Sequence, residues 1–209
     1  MSRLVVVSAG LSDPSSTRLL ADRLTAATAR RRPVESRVVE LRELAVDVAK
    51  HLVSGFPSAA LREVQEAVGG ADALIAVTPV FTASYSGLFK SFFDVLDPTV
   101  LAGKPVLLGA TGGSTRHSLA LEHALRPMFV YLRAVVLPTA VYAASADWGA
   151  GVEGGTEELA SRIDRAGAEL AAALGASGSP SVSDGRNAGA PAEAELIPFA
   201  QQLAALGLE

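Results

Sequence analysis

The stretch Thr78-Pro79-Val80-Phe81-Thr82-Ala83-Ser84-Tyr85-Ser86-Gly87-Leu88-Phe89-Lys90 lies between two segments of different hydrophobic period. Before it, residues 73–77 form an unbroken apolar run, the pattern of a strand buried on both faces of a parallel sheet. From Tyr85 onward, apolar side chains fall at Tyr85, Leu88, Phe89, Phe92, Phe93 and Leu96, offsets 0, 3, 4, 7, 8 and 11, which is one face of a helix. Residues 78–86 therefore read as a loop leaving the carboxyl end of a strand. In an open parallel sheet, that is where ligands bind. The loop's hydroxyls, single proline and single aromatic suit a flat heterocycle with hydrogen-bonding edges.

Working outward, the same alternation recurs. Residues 4–7 are apolar and mostly β-branched, a buried strand. Residues 8–17 are dense in hydroxyls and turn formers, and Ser15 or Ser16 is placed to cap a helix carrying Leu20, Leu24 and Ala27. Arg30, Arg31 and Arg32 favour that helix's C-terminal end, and Pro33 closes it. Residues 34–41 form a more polar strand, nearer an edge. A short helix is expected over 46–53 and a clearer one over 59–68, ended by Gly69-Gly70. A fourth strand spans 104–110. The next helix holds Leu121, Ala124, Leu125, Met128, Phe129 and Leu132, with Pro127 predicting a kink or local irregularity. A fifth strand covers 135–142 and a last amphipathic helix 159–174. The expectation is an α/β fold, a five-stranded parallel sheet in the order 2-1-3-4-5 with helices on both faces. Residues 1–174 form this domain, 175–195 read as a flexible Gly/Ser/Ala/Pro linker, and 196–209 as a C-terminal helix and tail.

Composition narrows the function. Of 209 residues, 49% are hydrophobic and 19% charged, an ordinary globular balance. The net charge of −4 argues against a broad nucleic-acid footprint. Cysteine is absent, which removes disulfides, thiolate metal sites and a cysteine nucleophile and fits a cytoplasmic protein. No apolar run is long enough to span a bilayer, and the apolar start is too short for a signal peptide. His51, His117 and His123 show no zinc spacing, and no G-x-S-x-G elbow occurs. Residues 149–154 spell G-x-G-x-x-G, but outside the strand-turn-helix setting the motif requires, so they read as a mobile loop.

Three loops, 8–17, 78–86 and 111–117, leave strand carboxyl ends on one edge. The first offers hydroxyls at a helix start, a good setting for a phosphate monoester, with Arg18 as a nearby charge. It is equally a plain helix cap. Phe81 in the second loop serves as an apolar wall or as a core residue. The glycines of the third allow close backbone approach to a ligand or make an ordinary turn. Each is weak alone, and three on one edge are considerably stronger.

The motif Thr78-Pro79-Val80-Phe81-x-Ala83-Ser84-Tyr85-Ser86-Gly87-x-x-Lys90 resembles the ring-binding loop of the flavodoxin-like NADPH-dependent FMN reductases. So do Ala110-Thr111-Gly112-Gly113-Ser114, His117, and Ala124-Leu125-Arg126-Pro127 followed by a strand with Pro138. The opening Ser8…Ser15-Ser16-Thr17 is similar to that family's phosphate loop, and the likeness covers residues 1 to about 174. The chain is most similar to the branch that supplies reduced FMN to luciferase-like monooxygenases. The resemblance implies hydride transfer from NADPH, or NADH, to FMN, and homodimers or homotetramers. It implies that Ser8, Ser15, Ser16 and Thr17 hold the phosphate and that Pro79, Val80, Phe81 and Thr82 line the isoalloxazine. Thr111, Gly112, Gly113 and Ser114 would meet the flavin's pyrimidine side or the nicotinamide nucleotide, with Gly112 and Gly113 N–H groups stabilising charge there. No catalytic side chain and no metal is implied. The sequence departs in two places. Gly10-Leu11-Ser12-Asp13 lacks the arginine of a Gly-Ser-x-Arg pattern, and Phe81 replaces a frequent tyrosine. Some relatives carry an inserted aromatic forming a π-bulge at a tetramer interface; His123 falls at or near that place, or is simply an exposed helix residue. A quinone or azo-dye reductase with bound FMN, a flavodoxin-like electron carrier and a non-catalytic module are the alternatives.

Overall fold

The structure is a computed structural model and describes residues 1–149 and 156–176. Strand β1 (Ser2–Ser8) is followed by α1 (Ser16–Ala29), β2 (Val34–Glu40), a 3₁₀ turn (Leu41–Leu44), α2 (Ala45–Ser54) and α3 (Ala59–Gly70). Then come β3 (Ala73–Phe81), β4 (Ser84–Tyr85), α4 (Gly87–Asp94) and β5 (Pro105–Gly112). A 3₁₀ turn (Thr115–His117), a π-helical turn (Leu121–Leu125), α5 (Arg126–Tyr131), β6 (Val135–Val136), β7 (Val141–Ala144), a 3₁₀ turn (Ser145–Trp148) and α6 (Glu157–Ala176) complete it. The C-terminal helix expected over 196–209 and the linker beyond Ala176 lie outside the described residues, as does the G-x-G-x-x-G stretch after Gly149.

The main path of the sheet is β2-β1-β3-β5-β6, with β7 also pairing β5. Read by position rather than by number, this is the expected flavodoxin-like order, with β6 and β7 sharing the fifth place. Alternate residues of the central strands feed two cores. Leu4 and Val6 of β1 join Leu20 and Leu24 of α1 and Ile163 and Leu170 of α6. Val5 and Val7 join Val48, Leu61, Phe89 and Phe129 from α2 to α5 on the other face. Both faces are covered, which is why these strands carry no polar alternation.

Three boundaries differ from the sequence reading. Strand β3 continues past Val77, because residues through Pro79 still pair with β5 and Val80 and Phe81 then pair antiparallel with Tyr85 and Ser84. The intervening turn holds Thr82 at φ 49° and Ala83 at φ 65°, as a two-residue hairpin of the primed type demands. Helix α4 consequently starts at Gly87, capped by Ser86, whose hydroxyl accepts from the Phe89 N–H at 3.2 Å. The fifth strand is interrupted because Pro138 has no N–H for the ladder. The gap is satisfied from outside it. Thr139 N–H donates to Glu169 at 2.9 Å, and Arg126 donates to the carbonyls of Leu137 and Pro138 at 3.0 and 3.1 Å. The irregularity expected at Pro127 is the π turn directly before it, since that ring cannot donate back into the preceding turn. His123 sits in the π turn and is exposed.

Candidate active site

Parallel registers bring the strand ends to one edge. Ser8 pairs with Val77, Pro79 with Thr111 and Gly112 with Ala144. Above this edge is a cleft of ≈ 490 Å³ whose walls come from the segment after β1, the C-terminal ends of β3 and β5, and the turn after β7.

The first wall is built on Ser15. Its hydroxyl accepts from the Arg18 N–H at 3.2 Å and caps α1. A methyl group at Gly10 would lie 2.0 Å from that hydroxyl oxygen, so the chain can fold back on its own cap only with glycine there. Ser16 and Thr17, in the first helical turn, have N–H groups without an intrahelical acceptor, and both residues line the cleft. Their dipole-favoured, unpaired donors face the opening, a setting for an anion. Thr17 is buried, and its hydroxyl bonds that of Thr111 at 2.8 Å, joining this wall to the third.

The charge expected from Arg18 is spent elsewhere. Its guanidinium is bonded to Asp22 at 2.8 Å and to Glu40, and the hydrogen bond to Asp22 leads in holding its pKa above the ordinary arginine value. The cation beside the loop is instead Arg42, which donates to the Ser12 carbonyl at 3.4 Å and pairs with Glu40 at 3.0 Å. Its place directly after β2, next to the β1 end, is the one sequence signal that could have found it.

Pro79, Val80 and Phe81 form the second wall. Phe81 is 47% exposed, so it is a wall residue and not part of the core. Thr82 is at the hairpin tip and does not line the cleft. In the third wall, Thr111, Gly112 and Gly113 line the opening, but the two glycines differ. A Cβ on Gly112 would lie 2.2 Å from the Tyr142 hydroxyl, whereas one on Gly113 meets nothing within 4 Å. Gly112 is small for the protein's own packing, whereas the space beside Gly113 is open. The Tyr142 hydroxyl donates to the Ser114 carbonyl at 2.7 Å, and burial first, then Asp147, pushes the phenol's pKa up. Ser114 is occupied in holding this turn, its hydroxyl accepting from the Arg116 N–H at 3.3 Å, and it is not in the lining. Ser8, expected at the phosphate, is 1% exposed within β1 between Glu40 and Val77, also out of the lining.

The sequence reading passed over Ser145 and Trp148, which bring a fourth wall after β7. Among the described residues, none that lines the cleft carries a charged or titratable side chain. Hydroxyls, open backbone N–H groups and two aromatic edges can bind and orient, but they supply no acid, base or strong nucleophile. Such a site suits a group that brings its own reactivity. Its donor set fits FMN: a helix start for the phosphate, apolar walls for the ring, and an open Gly113 backbone for a polar edge. Among the described residues no three His, Asp or Glu side chains converge as a metal site would need, and no helix is long and apolar enough to cross a membrane.

Comparison with known proteins agrees. The family profile described as NADPH-dependent FMN reductase matches residues 2–149. An FMN reductase (NADPH) of Pseudomonas aeruginosa is 41% identical over 70% of this chain and 78% of its own. The NADH-dependent FMN reductase SfnF of Pseudomonas fluorescens is 41% identical over 82% of this chain and 91% of its own. An oxidoreductase from Corynebacterium diphtheriae superposes with a TM-score of 0.78 at 44% identity, covering 84% of this chain and 98% of that one. The apo form of the NADH:FMN oxidoreductase EMOB gives 0.74 at 31%, covering 83% and 90%. An archaeal flavodoxin, at 14% identity and a TM-score of 0.56 over 84% of this chain and 99% of that one, shares the fold alone. The chain belongs to the NADPH-dependent FMN reductase family.

Proposed function

We propose that this protein transfers a hydride from NADPH or NADH to FMN in the cleft above β1, β3, β5 and β7. The observation that carries the reading is an uncharged, aromatic-edged cleft with an open helix start at one wall, in a member of this family. The flavin supplies the hydride-accepting chemistry. The Ser16 and Thr17 N–H groups and the Ser15 and Ser16 hydroxyls hold the phosphate. Pro79, Val80 and Phe81 line the ring, and the Gly113 backbone meets its pyrimidine edge, where a preorganised N–H favours developing negative charge. With no titratable side chain among the described lining residues, the role of these walls is to orient the two reactants and exclude water.

The test is oxidation of NADPH and NADH by purified protein in air, with and without FMN. Oxidation that rises and saturates with FMN is expected. Oxidation indifferent to free FMN but supported by quinones or azo dyes would favour the reductase with a resident flavin. Delivery of reduced FMN to a flavin-dependent monooxygenase follows from the likeness to the luciferase-partner branch; a coupled assay in which such an oxygenase turns over only with this protein, FMN and NAD(P)H tests it. The absence of cysteine supports a cytoplasmic setting. The π turn and α5 carry a second, mainly apolar hollow lined by His123, Pro127, Met128 and Tyr131. Tyr131 is 84% exposed there, and we place the contact between copies of the chain on this face. Tyr131→Glu should shift a dimer or tetramer toward monomer in light scattering, and an unchanged mass rejects the assignment.

A further inference from the structure

Trp148 is the chain's single tryptophan, and nothing in the flavin-loop motifs points to it. It lines the cleft from the turn after β7. The scaffolding around it is polar and specific. Asp147 accepts the Ala144 N–H at 2.8 Å and an Arg162 N–H at 3.3 Å, and Arg162 also donates to the Tyr142 carbonyl at 2.7 Å. The Asp147 carbonyl accepts the Thr156 N–H at 2.8 Å. The turn is thereby tied to both β7 and α6. On the indole itself lies the Arg23 guanidinium of α1, 5.1 Å from the ring centre. One Arg23 nitrogen, Nη1, is buried with no hydrogen-bond partner. A donor withheld from water without an acceptor is rare, and here the indole face is its compensation.

Sheet order places the turn that carries the ring. β7 and β3 both pair β5, on opposite sides. The Phe81 and Trp148 segments therefore leave the sheet on either side of the Thr111–Gly113 segment, and all three line the one cleft. We propose that Trp148 is an aromatic wall of the flavin site, contacting the isoalloxazine, and that Arg23 is the residue that positions it. This rests on the cleft being the flavin site. It assigns the fourth wall to the same ligand as the other three.

The experiment measures FMN and riboflavin affinity by equilibrium dialysis for wild type, Trp148→Ala, Trp148→Phe, Arg23→Leu and Arg23→Lys. An aromatic wall is sequence-tolerant of ring identity and acts on the ligand's π-face. Trp148→Ala should therefore weaken FMN and riboflavin by a similar factor, about tenfold on the stacking scale, with Phe restoring most of it. Arg23→Leu should give a smaller loss of the same kind, reversed by Lys. Equal loss for both flavins separates the proposal from a disturbed α1, which would penalise FMN through its phosphate alone. The proposal is overturned by unchanged flavin affinity in Trp148→Ala or by a loss confined to FMN. Wild type binding neither flavin would overturn the flavin-site reading itself, and this proposal with it.

Discussion

The cleft's first and third walls look alike in sequence, each a run of small and hydroxyl residues after a buried strand, yet they are held in different ways. The wall after β1 closes on itself. Gly10 lies against the Ser15 hydroxyl, and Ser15 caps the helix three residues on. The wall after β5 is closed from a distance by Tyr142 of β7, whose hydroxyl fills the space beside Gly112 and bonds Ser114, 28 residues away. A small residue in a ligand loop thus has two physical causes, room for the ligand or room for the protein, and the third wall contains one of each side by side.

The largest effects separate those two glycines. Gly112→Val forces side-chain atoms into the Tyr142 hydroxyl, and overpacking of this kind costs about 1–3 kcal/mol, often with backbone shifts. Thermal denaturation should show a fall of several degrees, with flavin binding lost as the turn moves. Gly113→Val meets open space, so its melting temperature should match wild type while FMN affinity collapses. Equal melting temperatures for both variants, or normal FMN binding by Gly113→Val, would break the distinction.

Next in size is the joint between the walls. Thr17 and Thr111 share one buried hydroxyl–hydroxyl bond of 2.8 Å. Removing one partner leaves the other unsatisfied, at a cost of about 1–3 kcal/mol, while replacing both with an isosteric apolar side chain is close to neutral. Thr17→Val and Thr111→Val should each lower the denaturant midpoint, and the double variant should recover most of it. Additive losses would mean the hydroxyls find other partners, and the walls are independent.

Much of this arrangement was legible in the sequence because it is local or periodic. The alternation of strand and helix followed from the spacing of apolar runs, the strand order from the common arrangement of such sheets, and the Ser15 cap from its position ahead of Leu20 and Leu24. What was missed depends on contacts across the fold. Arg18 was expected at the phosphate, but its i,i+4 partner Asp22 and the β2 residue Glu40 hold it. Ser8 read as a loop hydroxyl because strand ends are poorly marked, and pairing on both sides buries it. Trp148 carries no motif; only the placement of β7 beside β5 brings it to the cleft.

A smaller change tests whether the first wall is as self-contained as it looks. Ser15→Ala removes the cap, worth about 1 kcal/mol, and the Gly10 approach loses its partner atom. A modest loss of stability should accompany a larger loss of FMN affinity, since the helix-start donors lose their fixed frame. Riboflavin, which lacks the phosphate, should be affected less. The same loss for both flavins would place the defect outside the phosphate end.

The smallest expected effect probes the third wall by pH. Burial, with Asp147 second, raises the Tyr142 pKa above its unfolded value. The neutral phenol donates to Ser114, so its contribution is complete below the ordinary tyrosine value of about 10. As pH climbs past that point the unfolded chain gives up its proton first. Unfolding then releases a proton, and stability drains away until the folded phenol also ionises. Wild type should therefore lose stability between about pH 9 and 11 more steeply than Tyr142→Phe, with a difference below the roughly 1 kcal/mol of the bond itself. Because Tyr85 and Tyr131 are present in both proteins, the comparison isolates Tyr142. Parallel stability curves would mean that packing beside Gly112, and not the bond to Ser114, is what fastens this wall.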